Sequence, residues 1–83
     1  MSINDLTIGE SAKVVSLDCL PSNTRQKLLD MGLLEGVVIK LIHKAPLGDP
    51  IWVEVMDYEL ALRRNLAALI NVEKLTKKVA NKA

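Results

Sequence analysis

Apolar and polar positions alternate along much of this chain, and where the alternation breaks it breaks in informative places. Residues 12–18, Ala-Lys-Val-Val-Ser-Leu-Asp, are rich in β-branched side chains and predict a first strand. Leu20-Pro21-Ser22-Asn23 reads as a turn into a helix over Thr24–Met31. Pro21 discourages backward extension of that helix, and Ser22 or Asn23 is placed to cap its first turn. Leu28 and Met31, three apart, share the face expected to enter the core. Gly32 falls where a left-handed C-terminal cap is needed, and Leu33-Leu34-Glu35-Gly36 reads as a turn.

Residues 37–44 give the clearest strand. Val37, Ile39 and Leu41 fall on one face, with His43 in the same register, and Val38, Lys40, Ile42 and Lys44 fall on the other. Two prolines and a glycine make Ala45–Pro50 a loop. Residues 51–56 alternate again, Ile51, Val53 and Val55 against Trp52, Glu54 and Met56. Asp57-Tyr58 turns the chain into a short strand over 59–62. A short helix over 63–69 follows, with Leu66, Ala67 and Ile70 inward, then a last strand over 71–73. Residues 1–11 read as a lead-in in which Asp5-Leu6 starts a turn that Gly9 ends. The fold expected is mostly β with short helices: one helix after the first strand, a second short helix before the last strand. So many short strands in one small domain can curl into a barrel.

The chain has 83 residues, 49% of them apolar, with no Phe, one Trp and one Tyr. That suffices for one domain over residues 1–75 with an aliphatic core. Net charge is +1, too little basic excess for a dedicated nucleic-acid binder. Charge is uneven, since Lys74, Lys77, Lys78 and Lys82 follow the last acid, Glu73. Residues 76–83 therefore read as a basic, flexible tail, either simply solvated or drawn weakly to an anionic membrane surface. The start Met1-Ser2-Ile3-Asn4-Asp5 has neither the basic region nor the apolar run of a signal peptide, and no stretch approaches the roughly 20 apolar residues of a membrane span. With a single cysteine, Cys19, the expectation is a cytoplasmic protein.

Catalytic chemistry has few residues behind it. His43 is the one histidine and Cys19 the one cysteine, and neither has a partner at ligand or catalytic spacing. Transition-metal sites in proteins usually assemble about three or more ligands. His43 therefore reads as a partly exposed strand residue and Cys19 as a small half-buried hydrophobe. Gly48-Asp49-Pro50 is no phosphate loop, because it joins strands and Asp49 would repel phosphate. No enzyme activity, resident metal or cofactor is expected.

A binding module is the better expectation, with three regions able to serve. Helix residues Arg25, Lys27 and Leu29 face outward. Leu47, at a loop tip beside Asp49, has no core duty. Trp52 stands opposite Ile51, Val53 and Val55, either covered by a helix or as a surface anchor.

Four segments, in this order, resemble the FeoA family. They are Leu6-Thr7-Ile8-Gly9-Glu10-Ser11-Ala12-Lys13-Val14, Arg25 through Gly36 with its Met31-Gly32-Leu33 step, Ala45 through Ile51, and Leu60-Ala61-Leu62-Arg63-Arg64 with Ile70-Asn71-Val72. The sequence departs at Asp57, where the family often has glycine. The resemblance implies an SH3-like barrel and a role in bacterial ferrous iron uptake. The partner it implies is FeoB, a membrane transporter with a cytosolic GTPase domain, and any guanine nucleotide would come with that partner. A weak homo-oligomer is compatible with it. The alternative it leaves open is a stand-alone regulatory domain related to the SH3-like C-terminal domain of metal-dependent repressors.

Overall fold

In the computed structural model, residues 1–75 are described. The basic tail expected over 76–83 lies outside the described residues. Five antiparallel strands form one sheet: β1 (Ser11–Ser16), β2 (Val38–Lys44), β3 (Ile51–Val55), β4 (Tyr58–Leu62) and β5 (Asn71–Lys74), in the order β4-β3-β2-β1-β5. Helix α1 (Ser22–Asp30) follows β1, and α2 (Arg64–Ala67) precedes β5. The element order is the one the alternation predicts.

One side of the curled sheet carries the core. Ala12, Val14, Ile39, Leu41, Ile51, Val53, Val55, Leu62 and Val72 are buried along the strands, with Leu28, Leu33, Ala67 and Ile70 closing over them. Burial of such aliphatic side chains, each contributing about 1.5–3 kcal/mol, is what a domain without phenylalanine must rely on. The N-terminal lead-in is part of this core. Ile3 and Leu6 are buried around a short 3-10 turn, Ile3–Asp5. Ser2 bridges to Asn71, and the Val72 amide donates to Met1 O at 2.8 Å. The turn Thr7–Glu10 docks on β2 through Gly9 N–H to Leu41 O (2.7 Å) and Leu41 N–H to Glu10 O (3.0 Å).

The C-terminus of α1 is a six-to-one cap. Gly32 takes φ 92°, Leu33 N–H donates to Leu28 O, and Gly32 N–H donates to Leu29 O, both at 2.9 Å. In this motif the apolar residue after the glycine packs on the last helical turn. Leu33 is therefore the partner of Leu28 in the core, and Met31, expected there, is turned outward with 47% of its surface exposed. At the other end of α1, Pro21 is the cap residue and no side chain caps the helix. Asn23 Oδ1 instead accepts from Thr24 N–H at 2.8 Å.

Two further expectations change. β2 carries a register shift between Leu41 and His43. A bulge spends one extra residue and reverses the faces beyond it. His43 thus leaves the face of Ile39 and Leu41 to pair with Trp52, and Lys44 comes opposite Ile51. Cys19, expected half-buried, is exposed in the turn before α1. At the β3–β4 hairpin the positive φ belongs to Met56 (57°), so the glycine-like conformation sits one residue before Asp57.

Candidate functional site

The sheet directions sort the six candidate residues into two groups. β1 runs toward α1, while β2 runs away from it toward the loop Ala45–Pro50, so α1 and that loop occupy opposite ends of the sheet. Arg25, Lys27 and Leu29 belong to the α1 end, Leu47, Asp49 and Trp52 to the loop end. They do not form one site.

At the α1 end, Arg25 stands 3.9 Å from Asp18, an open ion pair with both side chains substantially exposed. Such pairs contribute about 0–1 kcal/mol. Lys27 is exposed, but Leu29, expected to face outward, is partly buried against the core because α1 lays that side toward the sheet. The same end presents apolar side chains that the alternation did not single out as surface: Met31, Leu34 at 45% and Met56 at 74% exposure. Met31 precedes Gly32 and Met56 lies in the turn before Tyr58, and Gly32 itself lies against Tyr58: a Cβ built on Gly32 would stand 3.4 Å from the Tyr58 hydroxyl. That hydroxyl is buried with no partner among the described residues. The signal for this surface was present in Met31-Gly32-Leu33, since a capping glycine hands the core position to the residue that follows it.

At the loop end the backbone is tied down. Gly48 N–H donates to Ala45 O at 2.7 Å and Ala45 N–H to Pro50 O at 3.0 Å. Asp49 Oδ1 accepts from Arg64 N–H at 3.0 Å, which fastens the loop to the first turn of α2. Asn4 Nδ2 donates to Arg64 O at 2.9 Å, adding the N-terminal turn. On this fixed loop Leu47 is 93% exposed, the most exposed large apolar residue described. An exposed leucine on a held backbone loses little entropy when a partner covers it. Trp52, on β3 nearby, is partly buried on the outer sheet face. Its ring lies 4.9 Å from that of His43, tilted by 48°.

One ionisable group stands out. Glu10 accepts from Lys74 at 2.6 Å and from Thr7 N–H at 2.7 Å. The lysine first, and the amide with it, hold its carboxyl well below the usual range, at about 2. Lys74 is therefore a β5 residue clasping the lead-in turn. Among the described residues no cluster of three His, Cys, Asp or Glu side chains is placed to hold a metal ion, and no helix is long and apolar enough to cross a membrane.

Comparison with known proteins places this geometry. The family model for the FeoA domain matches residues 1–74. A Porphyromonas gingivalis protein, an Fe(2+) transport protein A/Fe(2+) transporter FeoB fusion, is 37% identical over 73 residues, covering 88% of this chain. The match spans only 8% of that relative's length. The solution structure of the FeoA protein from Chlorobium tepidum superposes with a TM-score of 0.87 at 38% identity, covering 92% of this chain and 71% of the other. Stenotrophomonas maltophilia FeoA, crystallised with zinc and described as a prokaryotic SH3 domain protein, superposes at 0.76 with 29% identity, covering 88% and 89% of the two chains. The SH3-like fold implied by the resemblance is thus the observed one.

Proposed function

Because this chain belongs to the FeoA domain family, a family linked to ferrous iron transport, we propose that it is a non-enzymatic accessory of ferrous iron uptake. It acts in the cytoplasm, docking on the cytosolic side of a FeoB-type GTPase transporter and modulating that transporter's assembly or activity. The observation that carries this reading is the fusion relative, in which a segment 37% identical to this chain shares one polypeptide with the transporter. Covalent linkage holds two modules at high effective concentration, an arrangement suited to modules that work in contact.

The chemistry of the surface supports docking. Leu47 projects from a fixed loop, with Asp49 and Trp52 at the same end, and Arg25, Lys27 and Leu29 offer a second contact on α1. A leucine held at the surface by a fixed loop is an apolar group that a pocket in the partner can cover at little entropic cost.

The test is retention of the purified chain by the cytosolic GTPase portion of the transporter and by the intact transporter, each with and without guanine nucleotide. Retention is expected, and Leu47→Asp or Arg25→Glu is expected to weaken it by about tenfold or more while the folded spectrum is unchanged. Failure of both transporter preparations to retain the folded chain under every nucleotide condition would count against the reading.

A further inference from the structure

The two edges of the sheet are treated differently. β5 is covered on its outer side by the N-terminal segment, through the Ser2–Asn71 bridge and the Val72-to-Met1 hydrogen bond. β4 is the other edge and pairs only with β3 among the described residues. Natural edges are usually blunted by proline, lysine or a bulge. β4 reads Tyr-Glu-Leu-Ala-Leu and pairs with β3 without a register shift.

Which backbone groups point outward follows from the hairpin. Val55 and Tyr58 flank its two-residue loop and form a hydrogen-bonded pair. By alternation Val53–Leu60 and Ile51–Leu62 do the same. The N–H and C=O groups of Glu59 and Ala61 therefore face away from the sheet. Arg63 continues the strand in extended conformation (φ −73°, ψ 147°). Its carbonyl is taken by the Leu66 and Ala67 amides, both at 3.0 Å, which leaves its N–H as a third outward group.

From this edge we propose that a second copy of the chain pairs antiparallel with β4 about a two-fold axis at Ala61. Glu59, Ala61 and Arg63 can be set opposite one another in five registers, and the two that place Arg63 opposite Ala61 or opposite itself meet a carbonyl already taken. Centring on Glu59 sets two carboxylates face to face. Pairing Glu59 with Ala61 leaves Arg63 unused. Centring on Ala61 joins the two Ala61 backbones by two hydrogen bonds and sets Glu59 opposite Arg63 of the second copy, twice by symmetry. Each Arg63 amide then donates to the Glu59 carbonyl across the axis. Within one chain Glu59 already faces Glu54, a like-charge pair, and Glu54 faces Lys40 on its other side. Arg63 of the second copy supplies the cation that Glu59 lacks. The small Ala61 side chain leaves the outer face open beside Trp52, its cross-strand neighbour, where Asp49, Pro50 and Arg63 line a shallow depression with it.

The test is sedimentation equilibrium of the full chain up to about 1 mM, a range that captures an association as weak as about 4 kcal/mol, with emission of the single tryptophan followed in parallel. A reversible monomer–dimer equilibrium is expected, with Trp52 emission moving to shorter wavelength as the dimer fills. Ala61→Pro removes only an outward N–H and is tolerated at an edge, yet it should nearly abolish the dimer. Glu59→Arg and Arg63→Glu should each weaken it by about tenfold or more, and the double reversal should return it to within about threefold of the original. Glu59→Arg also relieves the repulsion from Glu54, so its loss of dimer cannot be assigned to unfolding.

A chain monomeric over the whole range overturns the proposal, as does a dimer unmoved by Ala61→Pro and Glu59→Arg. Failure of the double reversal to recover the dimer overturns the Ala61 register. A monomeric chain whose binding to an extended segment of another protein is lost in Ala61→Pro gives the edge to that segment and also overturns it.

Discussion

The two ends of the sheet solve the same problem, a chain leaving and re-entering the barrel, with different materials. At the loop end, four hydrogen bonds among Ala45, Gly48, Asp49, Pro50, Arg64 and Asn4 fix a backbone that buries little apolar surface and presents one leucine to solvent. At the α1 end the cap pair Leu28 and Leu33 is buried, while Met31, Leu34 and Met56 lie at the surface. The loop end is fixed by polar bonds, and the α1 end is held by what its helix buries. An adaptable methionine-bearing surface and a single projecting side chain suit different contacts.

The largest effect expected from breaking this contrast is at Leu33. Leu33→Ala should lower unfolding free energy by about 2–5 kcal/mol in urea denaturation, because it opens a cavity beneath the α1 cap. Asp49→Ala should cost about 1 kcal/mol by the same measurement, the worth of a capping hydrogen bond to the first amides of a short helix. A cost equal to that of Leu33→Ala would mean that the loop end, too, is held by packing.

Tyr58→Phe sharpens the comparison from the other side. The hydroxyl is buried without a partner, so its removal should leave stability unchanged or raise it by up to about 1 kcal/mol. A loss of that size would reveal a bond to the α1 end. The last and most specific effect, one set by pH, is at Glu10. Its folded pKa lies below the ordinary 4.5, at about 2. Its stabilising contribution is therefore present above pH 4.5 and is lost as pH falls through about 2. Thermal melts between those values should slope less steeply in Glu10→Gln than in the parent chain.

The order of elements was legible in the sequence because alternation, proline and glycine act locally. Every strand and both helices follow from it, and so does the left-handed turn at Gly32. What alternation misreads is what depends on a departure from regularity. A single bulged residue in β2 moves His43 to the outer face, and no period-two pattern can register an extra residue. Helical spacing assigns Met31 to the core, while the cap geometry gives that place to Leu33. The lead-in was legible as a turn, but its burial rests on pairing with Asn71 and Val72 at the far end of the chain. Leu47 and Lys27 stand exposed where loop and helix position imply, whereas Leu29, expected outward, packs partly against the core. The division of those residues between two ends depends on strand direction, which the sequence does not display.

That far pairing also sets when the domain can exist. β2, β3 and β4 are joined by short turns and can pair as each is made. β1, in contrast, meets β5 only after the whole meander has been synthesised, and the Met1 amino group finds its acceptor, Asn71 Oδ1, 70 residues later. Contacts of such separation are slow to form and come after local ones. β1 can meet β2 earlier, but the segment around Ile3 lacks its Asn71 and Val72 partners until the last strand emerges. Closure of the barrel therefore waits on β5, the strand that joins the two ends of the described segment.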